Sequence, residues 1–260
     1  MISSIELDLD SHKTPDSLVE RREQDVWHLE ISPGQAGKYR LAQLDDYRAT
    51  SRRALPWHPP LTISLRARAS SAEIEGTWGF GLWNDPFGLS LGFGGANRRL
   101  PALPNAAWFF FASPPNYLSL RDDQPAQGFL AATFRSWSLP AVILALGLPA
   151  LPLLLWPLTA RWLRPLGRGV VHQDALALDL NPTNWHRYCL EWGLERVIFS
   201  VDDKVVFETP VVPRGPLGLV LWVDNQYAAY PPDGRLAYGT LTTSEPAWLQ
   251  IGDLILTAGG

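Results

Sequence analysis

Two stretches place ring-bearing and hydrogen-bonding side chains together. In "LGLVLWVDNQYAAY", period-two alternation puts Trp222 and Asp224 on one face, and Asn225, Gln226 and Tyr227 follow at the end of the run. In "GFGLWND", Trp83 and Asp85 share a face and Asn84 takes the other. Indole rings that stack on a ligand, with Asp, Asn and Gln to hydrogen-bond it, make a small-molecule surface: mostly apolar, with a few convergent polar groups. The same two carboxyls suggest a second chemistry. If Asp85 and Asp224 enter apolar surroundings from different strands, desolvation shifts their pKa values. They could then move protons in a cyclisation, hydration or isomerisation of an apolar substrate. His58, in "PWHPP", and His172 sit in loop-like contexts near which a cleft rim could lie, and neither has a partner visible in sequence.

Each of these residues also has a structural reading. A tryptophan in a sheet protein is ordinarily core material, and Asp-Asn at a strand end ordinarily makes a turn. His186 opens a strand and reads as a packing or hydrogen-bonding residue rather than a base. Glu73 and Glu75 alternate with Ile74 and read as solvated.

The elements that must position these residues are strands. Alternating segments punctuated by Pro and Gly fill most of the 260 residues. "SSIELDL", "VWHLEIS", "KYRLAQLDDY", "LTISLRARAS", "GTWGFGLWN", "AAWFFFAS", "YLSLR" and "GFLAATFRS" come first. "ALALDL", "HRYCLEWG", "RVIFSVD", "KVVFETP", "LGLVLWVDN" and "LQIGDLILT" follow. Two hairpins are predicted, one turning at "GLE" and one at "VDDK". Many short strands without an internal repeat predict an all-β chain of two large packed sheets, with residues 1–260 as one domain. The net charge of −4 offers no basic field for nucleic acid. A single cysteine, Cys189, excludes an internal disulfide and a cysteine-based zinc cluster. The start, "MISSIELDLDSHK", lacks the basic-then-apolar order of a signal peptide, so a cytoplasmic protein, peripheral to a membrane at most, is expected.

One segment breaks the pattern. From Ser136 to Ala160 no residue is charged, and Arg161, Arg164 and Arg168 follow closely. About 20 apolar residues would span a bilayer. Here Pro140, Pro149, Pro152, Pro157 and Gly147 divide the run. Strands of one sandwich on both sides of it also require both ends to lie on the same side of a membrane. The expectation is a hydrophobic, helical insertion over 136–168. It could pack on its own chain, make a self-association contact, or lie in a membrane surface with its arginines towards anionic headgroups.

The stretch "NWHRYCLEWGLERVIFSVDDKVVFETP" resembles a segment of glycoside hydrolase family 16, the laminarinase and lichenase group. Trp185, His186, Tyr188, Glu191, Trp192, Ile198, Phe199, Val201, Asp202 and Lys204 stand in the places of its aromatic-His-x-Tyr-x-x-x-Trp strand and Ile-x-Phe-x-Val-Asp-Gly-Lys hairpin. "LTISLRARASSAEIEGTWGFGLWND" is similar to its strand pair upstream, with Trp78 and Trp83 where the family keeps aromatics. The resemblance covers residues 60–130 and 170–257. It implies the concanavalin A-like jelly roll, two curved antiparallel sheets with a ligand cleft on the concave face. It also implies an E-x-D-x-x-E or E-x-D-x-E strand, one Glu attacking the anomeric carbon and the last protonating the leaving oxygen. A retaining enzyme holds the two carboxyls about 5–5.5 Å apart. That strand should fall at "NAAWFFFAS", where Asn105 to Ser113 contain no Asp or Glu. Trp108 and Phe110 stand there instead. The resemblance further compares Asp253, in "IGDLILT", with a terminal-strand Asp near a structural calcium, although one ligand does not make such a site.

The expectation is therefore a family 16-like jelly roll without the hydrolytic pair. Trp78, Trp83, Trp108, Phe110, Trp222, Asp224, Asn225, Gln226 and Tyr227 would bind a glycan, a hydrophobic glycoside or a lipid-like molecule, with no cofactor required. The alternatives are an enzyme using Asp85 and Asp224, or His58, on a non-sugar substrate, and a membrane-surface scaffold acting through the insertion.

Overall fold

A computed structural model describes residues 7–47, 50–86, 102–138, 144, 153 and 156–259. Among the described residues, sixteen strands and one long helix run in the order β1 (Asp10–Lys13), β2 (Ser17–Arg22), β3 (Val26–Ile31), β4 (Leu41–Asp45), β5 (Leu61–Ala69), β6 (Thr77–Trp83), β7 (Ala106–Ala112), β8 (Gly128–Ser136), α1 (Pro157–Val170), β9 (Val171–Ala177), β10 (His186–Trp192), β11 (Val197–Val201), β12 (Lys204–Thr209), β13 (Gly218–Asp224), β14 (Gln226–Ala229), β15 (Ala237–Thr240) and β16 (Ala247–Ala258). Two seven-stranded antiparallel sheets form a jelly-roll sandwich. The front sheet has the order β1-β4-β13-β6-β7-β8-β9 and the back sheet the order β12-β11-β10-β5-β16-β3-β2. β14 and β15 pair as a separate ribbon.

Alternation assigns the faces. Trp78, Phe80 and Leu82 of β6, Phe109 and Phe111 of β7, and Leu219, Leu221 and Val223 of β13 point into the space between the sheets. They meet Leu65, Tyr188, Leu190, Trp192, Phe199 and Leu249 of the back sheet. Rings interlock edge-on across the gap, Phe80 on Tyr188 at 5.0 Å and Phe109 on Phe199 at 5.2 Å, the arrangement that aromatic quadrupoles favour. Both predicted hairpins form. β10 turns into β11 with Gly193 donating its N–H to the Arg196 carbonyl at 3.0 Å. β11 turns into β12 through Asp202 and Asp203, with φ of 49° and 62°, the paired positive values of a type I′ turn.

One expectation needs correcting. "YLSLR" is not a strand: Tyr117 makes a single bridge to Ala229. The Leu120 N–H is then taken by the Gln173 side chain at 2.7 Å, and the Ser119 hydroxyl donates to the Arg121 carbonyl at 2.7 Å. Side chains here satisfy backbone groups that a ladder would otherwise pair. Of "SSIELDL", residues 3–6 lie outside the described residues and 7–9 are not strand; β1 starts at Asp10, pairing with Asp45. The predicted insertion is helical over Pro157–Val170, and most of its earlier part lies outside the described residues.

α1 is a poor helix by composition. It holds Pro165 within it, and Gly167 and Gly169 near its end, each unfavourable in a helix interior. Tertiary contacts hold it instead. Arg164 is buried on its inner side and donates to Asp122 Oδ1 at 2.7 Å, the Ser119 carbonyl at 3.0 Å and the Tyr230 carbonyl at 2.5 Å. Its guanidinium also lies 5.5 Å from the ring centroids of both Tyr117 and Tyr230. Arg168 binds the other Asp122 oxygen and the Leu120 carbonyl. Replacing Arg164 by Ala takes a donor from the buried Ser119 and half-buried Tyr230 carbonyls and leaves Asp122 with Arg168 alone. The variant should lose on the order of 3 kcal/mol in denaturant unfolding, less than a fully buried pair because Asp122 is half exposed. An unchanged midpoint would show that α1 is held by something else.

Candidate functional site

The front sheet has a second apolar face, turned away from the inter-sheet core. Trp222 and Val220 of β13, Phe110 and Ala112 of β7, and Leu130 and Ala132 of β8 form it, with Trp83, Trp108 and Phe134 packed against them. The rings make one continuous cluster. Trp83 and Trp222 stack at 6.4 Å with planes 7° apart, and Trp108 lies 5.5 Å from Trp222 and 5.9 Å from Trp83. Phe110 stacks on Trp222 at 6.1 Å, and Phe134 meets Trp108 edge-on at 6.1 Å.

Two glycines make this packing possible. On β6 the outward positions are Thr77, Gly79, Gly81 and Trp83. Gly79 pairs with Trp222 on one side and Phe110 on the other, and Gly81 pairs with Trp108. A Cβ on Gly79 would come within 2.7 Å of the Trp222 ring, and one on Gly81 within 2.6 Å of the Trp108 Cα. Gly81 also has φ of +152°, which L side chains rarely adopt. The tryptophans of the flanking strands thus lie over bare backbone at the centre of the sheet, which is the use of strand glycine where a close approach is required.

At one end of the cluster is a buried carboxyl. Asp224 Oδ1 accepts from the Thr77 hydroxyl at 2.7 Å, and Oδ2 accepts from the Tyr39 hydroxyl at 3.2 Å. Thr77 in turn accepts the Trp222 indole N–H at 2.9 Å, tying the acid to the rings. Burial pushes the Asp224 carboxyl up to about 6, against the lowering effect of its donors Thr77, the Gln226 N–H and Tyr39. Burial first, and then the neighbouring Asp224 charge, raises the Tyr39 hydroxyl well above its ordinary range. The other end is closed by Tyr47, whose hydroxyl accepts the Trp83 indole N–H at 2.6 Å. The Trp108 indole nitrogen is buried, with no acceptor among the described residues.

The structure sorts the residues singled out in sequence. Trp83, Trp108, Phe110, Trp222 and Asp224 share the outer face. Trp78 does not: alternation sends it to the inter-sheet core, where it is 1% exposed and its ring lies 4.8 Å from Phe129. Asn225 is a buried clamp, accepting the Arg40 N–H at 2.9 Å and donating to the carbonyls of Lys38 and Leu241. Gln226 and Tyr227 belong to the β14 ribbon. His58 is exposed, next to Trp57, which hydrogen-bonds Asp46. His186 joins Asp202 at 2.7 Å and the Asn181 carbonyl at 3.1 Å, a hairpin fastening. Asp253 lies in a bulge of β16 on Arg66 at 2.7 Å, and no group of three metal-ligating side chains occurs among the described residues.

Asp85 and Asp224 are not brought together. Asp224 pairs with Thr77 at one end of β6, and Asp85 lies two residues past Trp83 at the other, the two ends being about 20 Å apart at the rise of a strand. The sequence reading missed a nearer acid. Asp45, at the end of β4, is buried on the same outer face beside Val220, accepting from Gln43 at 2.8 Å. Burial raises its pKa. In register it lies four residues from Asp224, about 13 Å along the strands. The only sequence signal for it was the outward phase of "LAQLD".

Neither a family profile nor a curated protein matches the sequence. Among solved structures, the chain is similar to a sialidase at 9% identity and a TM-score of 0.46, over 96% of this chain but 17% of that one. It therefore spans well under two thirds of the sialidase. It is similar to Bacillus licheniformis β-glucanase at 10% identity and a TM-score of 0.45, over 93% of this chain and 82% of the glucanase. A legume lectin-like domain from Entamoeba histolytica aligns at 9% identity and a TM-score of 0.47, over 97% and 90% of the two chains. The chemistry of the site rests on its own side chains.

Two outcomes are expected. Gly81→Ala should cost about 3 kcal/mol or more, since neither its φ nor the Trp108 backbone can yield cheaply; wild-type stability would show that the rings do not lie on β6. Asp46, which holds Trp57 and the Leu219 N–H, is also raised by burial to about 6. Both Asp224 and Asp46 take up a proton on folding between pH 4 and 6, so stability should fall as pH rises through that window. Asp224→Asn should flatten that slope in urea titrations across it, and an unchanged slope would place the Asp224 pKa near its unfolded value.

Proposed function

We propose that the outer face of the front sheet is a non-hydrolytic binding surface for a ligand with an apolar ring face and few oxygens, an alkyl or aryl glycoside being the best fit. The observation that carries this is the composition of that face. The strand on which the family resemblance expects acids, β7, presents Ala106, Trp108, Phe110 and Ala112, and the chain has no Asp or Glu between Asp85 and Asp122. The two buried acids of the face, Asp45 and Asp224, stand about 13 Å apart by register, beyond the roughly 5–5.5 Å of a retaining pair and the 6.5–9.5 Å of an inverting one. Attack and protonation at one glycosidic bond have no matched pair of agents there.

What the face offers is stacking. Trp83 and Trp108 are half-buried, whereas Trp222 is only 9% exposed and works as the floor on which they rest. The Trp108 indole N–H is buried without an acceptor among the described residues, and the Gln43 amide beside Trp222 is already given to Asp45 and Tyr47, so ring stacking rather than hydrogen bonding carries this reading. Sugars present apolar C–H faces and aglycones present rings or chains, so both kinds of surface suit indole platforms.

The test uses octyl β-glucoside below its micellar concentration, laminarin oligosaccharides and purified full-length chain. Calorimetry should show binding of the glucoside, weakened roughly tenfold by Trp83→Ala or Trp108→Ala, each at a smaller loss of stability than Trp222→Ala. Trp222→Ala should instead cost about 3–5 kcal/mol of stability. Cleavage of laminarin by the purified chain would sink the reading, as would glucoside binding indifferent to both substitutions.

A further inference from the structure

α1 is amphipathic the wrong way round for a surface helix. An ordinary one turns its apolar stripe to the core and its charges to water. Here the inner side is Ala160 and Arg164, with Arg164 and Arg168 held on Asp122. The outer side carries Leu158, Trp162 and Leu166, spaced i, i+4, i+8, with Trp162 76% exposed and Leu166 66%. The ion pairs fix that orientation, so the helix cannot roll to hide these side chains without breaking them.

The exposed aromatic groups extend past both helix ends. Trp156 precedes its first turn and is exposed. Trp137, also exposed, is tied beside its last turn by donating its N–H to the Val170 carbonyl at 3.1 Å. Three exposed tryptophans therefore follow a helix about 21 Å long, at 1.5 Å per residue. The charge is equally one-sided. α1 contains three arginines and no acid, within a chain of net −4. Arg161 is exposed at the border of the apolar strip. Arg235, beside Gly234 and the first turn, is balanced by Asp233 at 3.7 Å, so the excess positive charge comes from Arg161 and from Arg164 and Arg168 sharing the single Asp122.

We propose that this strip docks the protein on an anionic lipid surface. Trp162, Leu166 and Leu158 would enter the headgroup–acyl boundary, Trp156 and Trp137 would sit at headgroup level, and Arg161 would meet lipid phosphates. Tryptophan rings favour that boundary, and an amphipathic helix lying in the plane gains both apolar burial and attraction to anionic headgroups. A second copy is the weaker fit, because it would set Arg161 and the excess charge of Arg164 and Arg168 over Asp122 against the same positive strip. Among the described residues no helix is long and apolar enough to cross a membrane, so contact along the surface is the mode proposed. The inference is independent of the ligand face on the front sheet.

The test is co-sedimentation of the full chain with vesicles of phosphatidylcholine alone and of phosphatidylcholine mixed with phosphatidylglycerol. The wild-type chain should bind the mixed vesicles more strongly, and binding should weaken with salt. Trp162→Ser with Leu166→Ser should reduce the partition coefficient by roughly tenfold or more. Both residues are exposed, so its melting temperature should stay at the wild-type value. Arg161→Glu should abolish the preference for the anionic vesicles and leave the weaker binding to phosphatidylcholine. No binding by the wild-type chain overturns the proposal, as does binding that the double variant retains. Sedimentation equilibrium without lipid supplies the remaining arm: a dimer that the double variant dissolves would assign the strip to a second copy and overturn it too.

Discussion

The contact on which the rest of this molecule turns is the seating of tryptophan rings on the bare backbone of β6. Gly79 and Gly81 lie at the middle of the front sheet, and the rings of Trp222 and Trp108 reach across them from the two neighbouring strands. The same strand sends Trp78, Phe80 and Leu82 into the inter-sheet core. One heptapeptide, TWGFGLW, thereby couples two apolar layers with opposite tasks. Inward it fills the sandwich. Outward it makes room for other strands' rings, at the usual entropic and packing cost of glycine in a strand.

That coupling explains the state of the outer face. Its aromatic cluster is packed on itself, and so is mostly buried even before any ligand is considered. The acid at its end is dry for the same reason: Asp224 is held by Thr77, Thr77 is held by the Trp222 indole, and water is replaced by three protein donors. A carboxyl so placed has its charged form penalised by burial and only partly restored by hydrogen bonds. On the proposed reading such a face grips an apolar surface, and its two buried acids, Asp45 and Asp224, stand four register positions apart.

The helix α1 shows the reverse relation between burial and charge. Arginines are on the inside because Asp122 and the carbonyls of Ser119, Leu120 and Tyr230 wait there, and apolar side chains are left outside. Hydrophobicity alone would orient this helix the other way. Directional hydrogen bonds from two guanidinium groups decide it, and they also hold together a segment whose proline and glycines make it a weak helix by itself.

The sequence by itself determined the sheets and the sides. Period-two alternation in "TWGFGLW", "AAWFFFA" and "LGLVLWVD" fixed which side chains share a face, because adjacent residues of a strand must point opposite ways. It also fixed the absence of acids on β7 and the turn at Asp202–Asp203. What alternation cannot supply is register between strands distant in the chain. Only the tertiary structure set Trp222 over Gly79, placed Asp85 and Asp224 at opposite ends of β6, and revealed Asp45 as the nearer acid. It alone assigned Trp78 to the core side, a choice between two faces that look equally apolar in sequence. It alone turned α1 inside out, since the partner that orients Arg164 is an aspartate 42 residues away. Local pattern fixes direction within an element, whereas hydrogen-bond partners across the chain fix which elements meet and which face is covered.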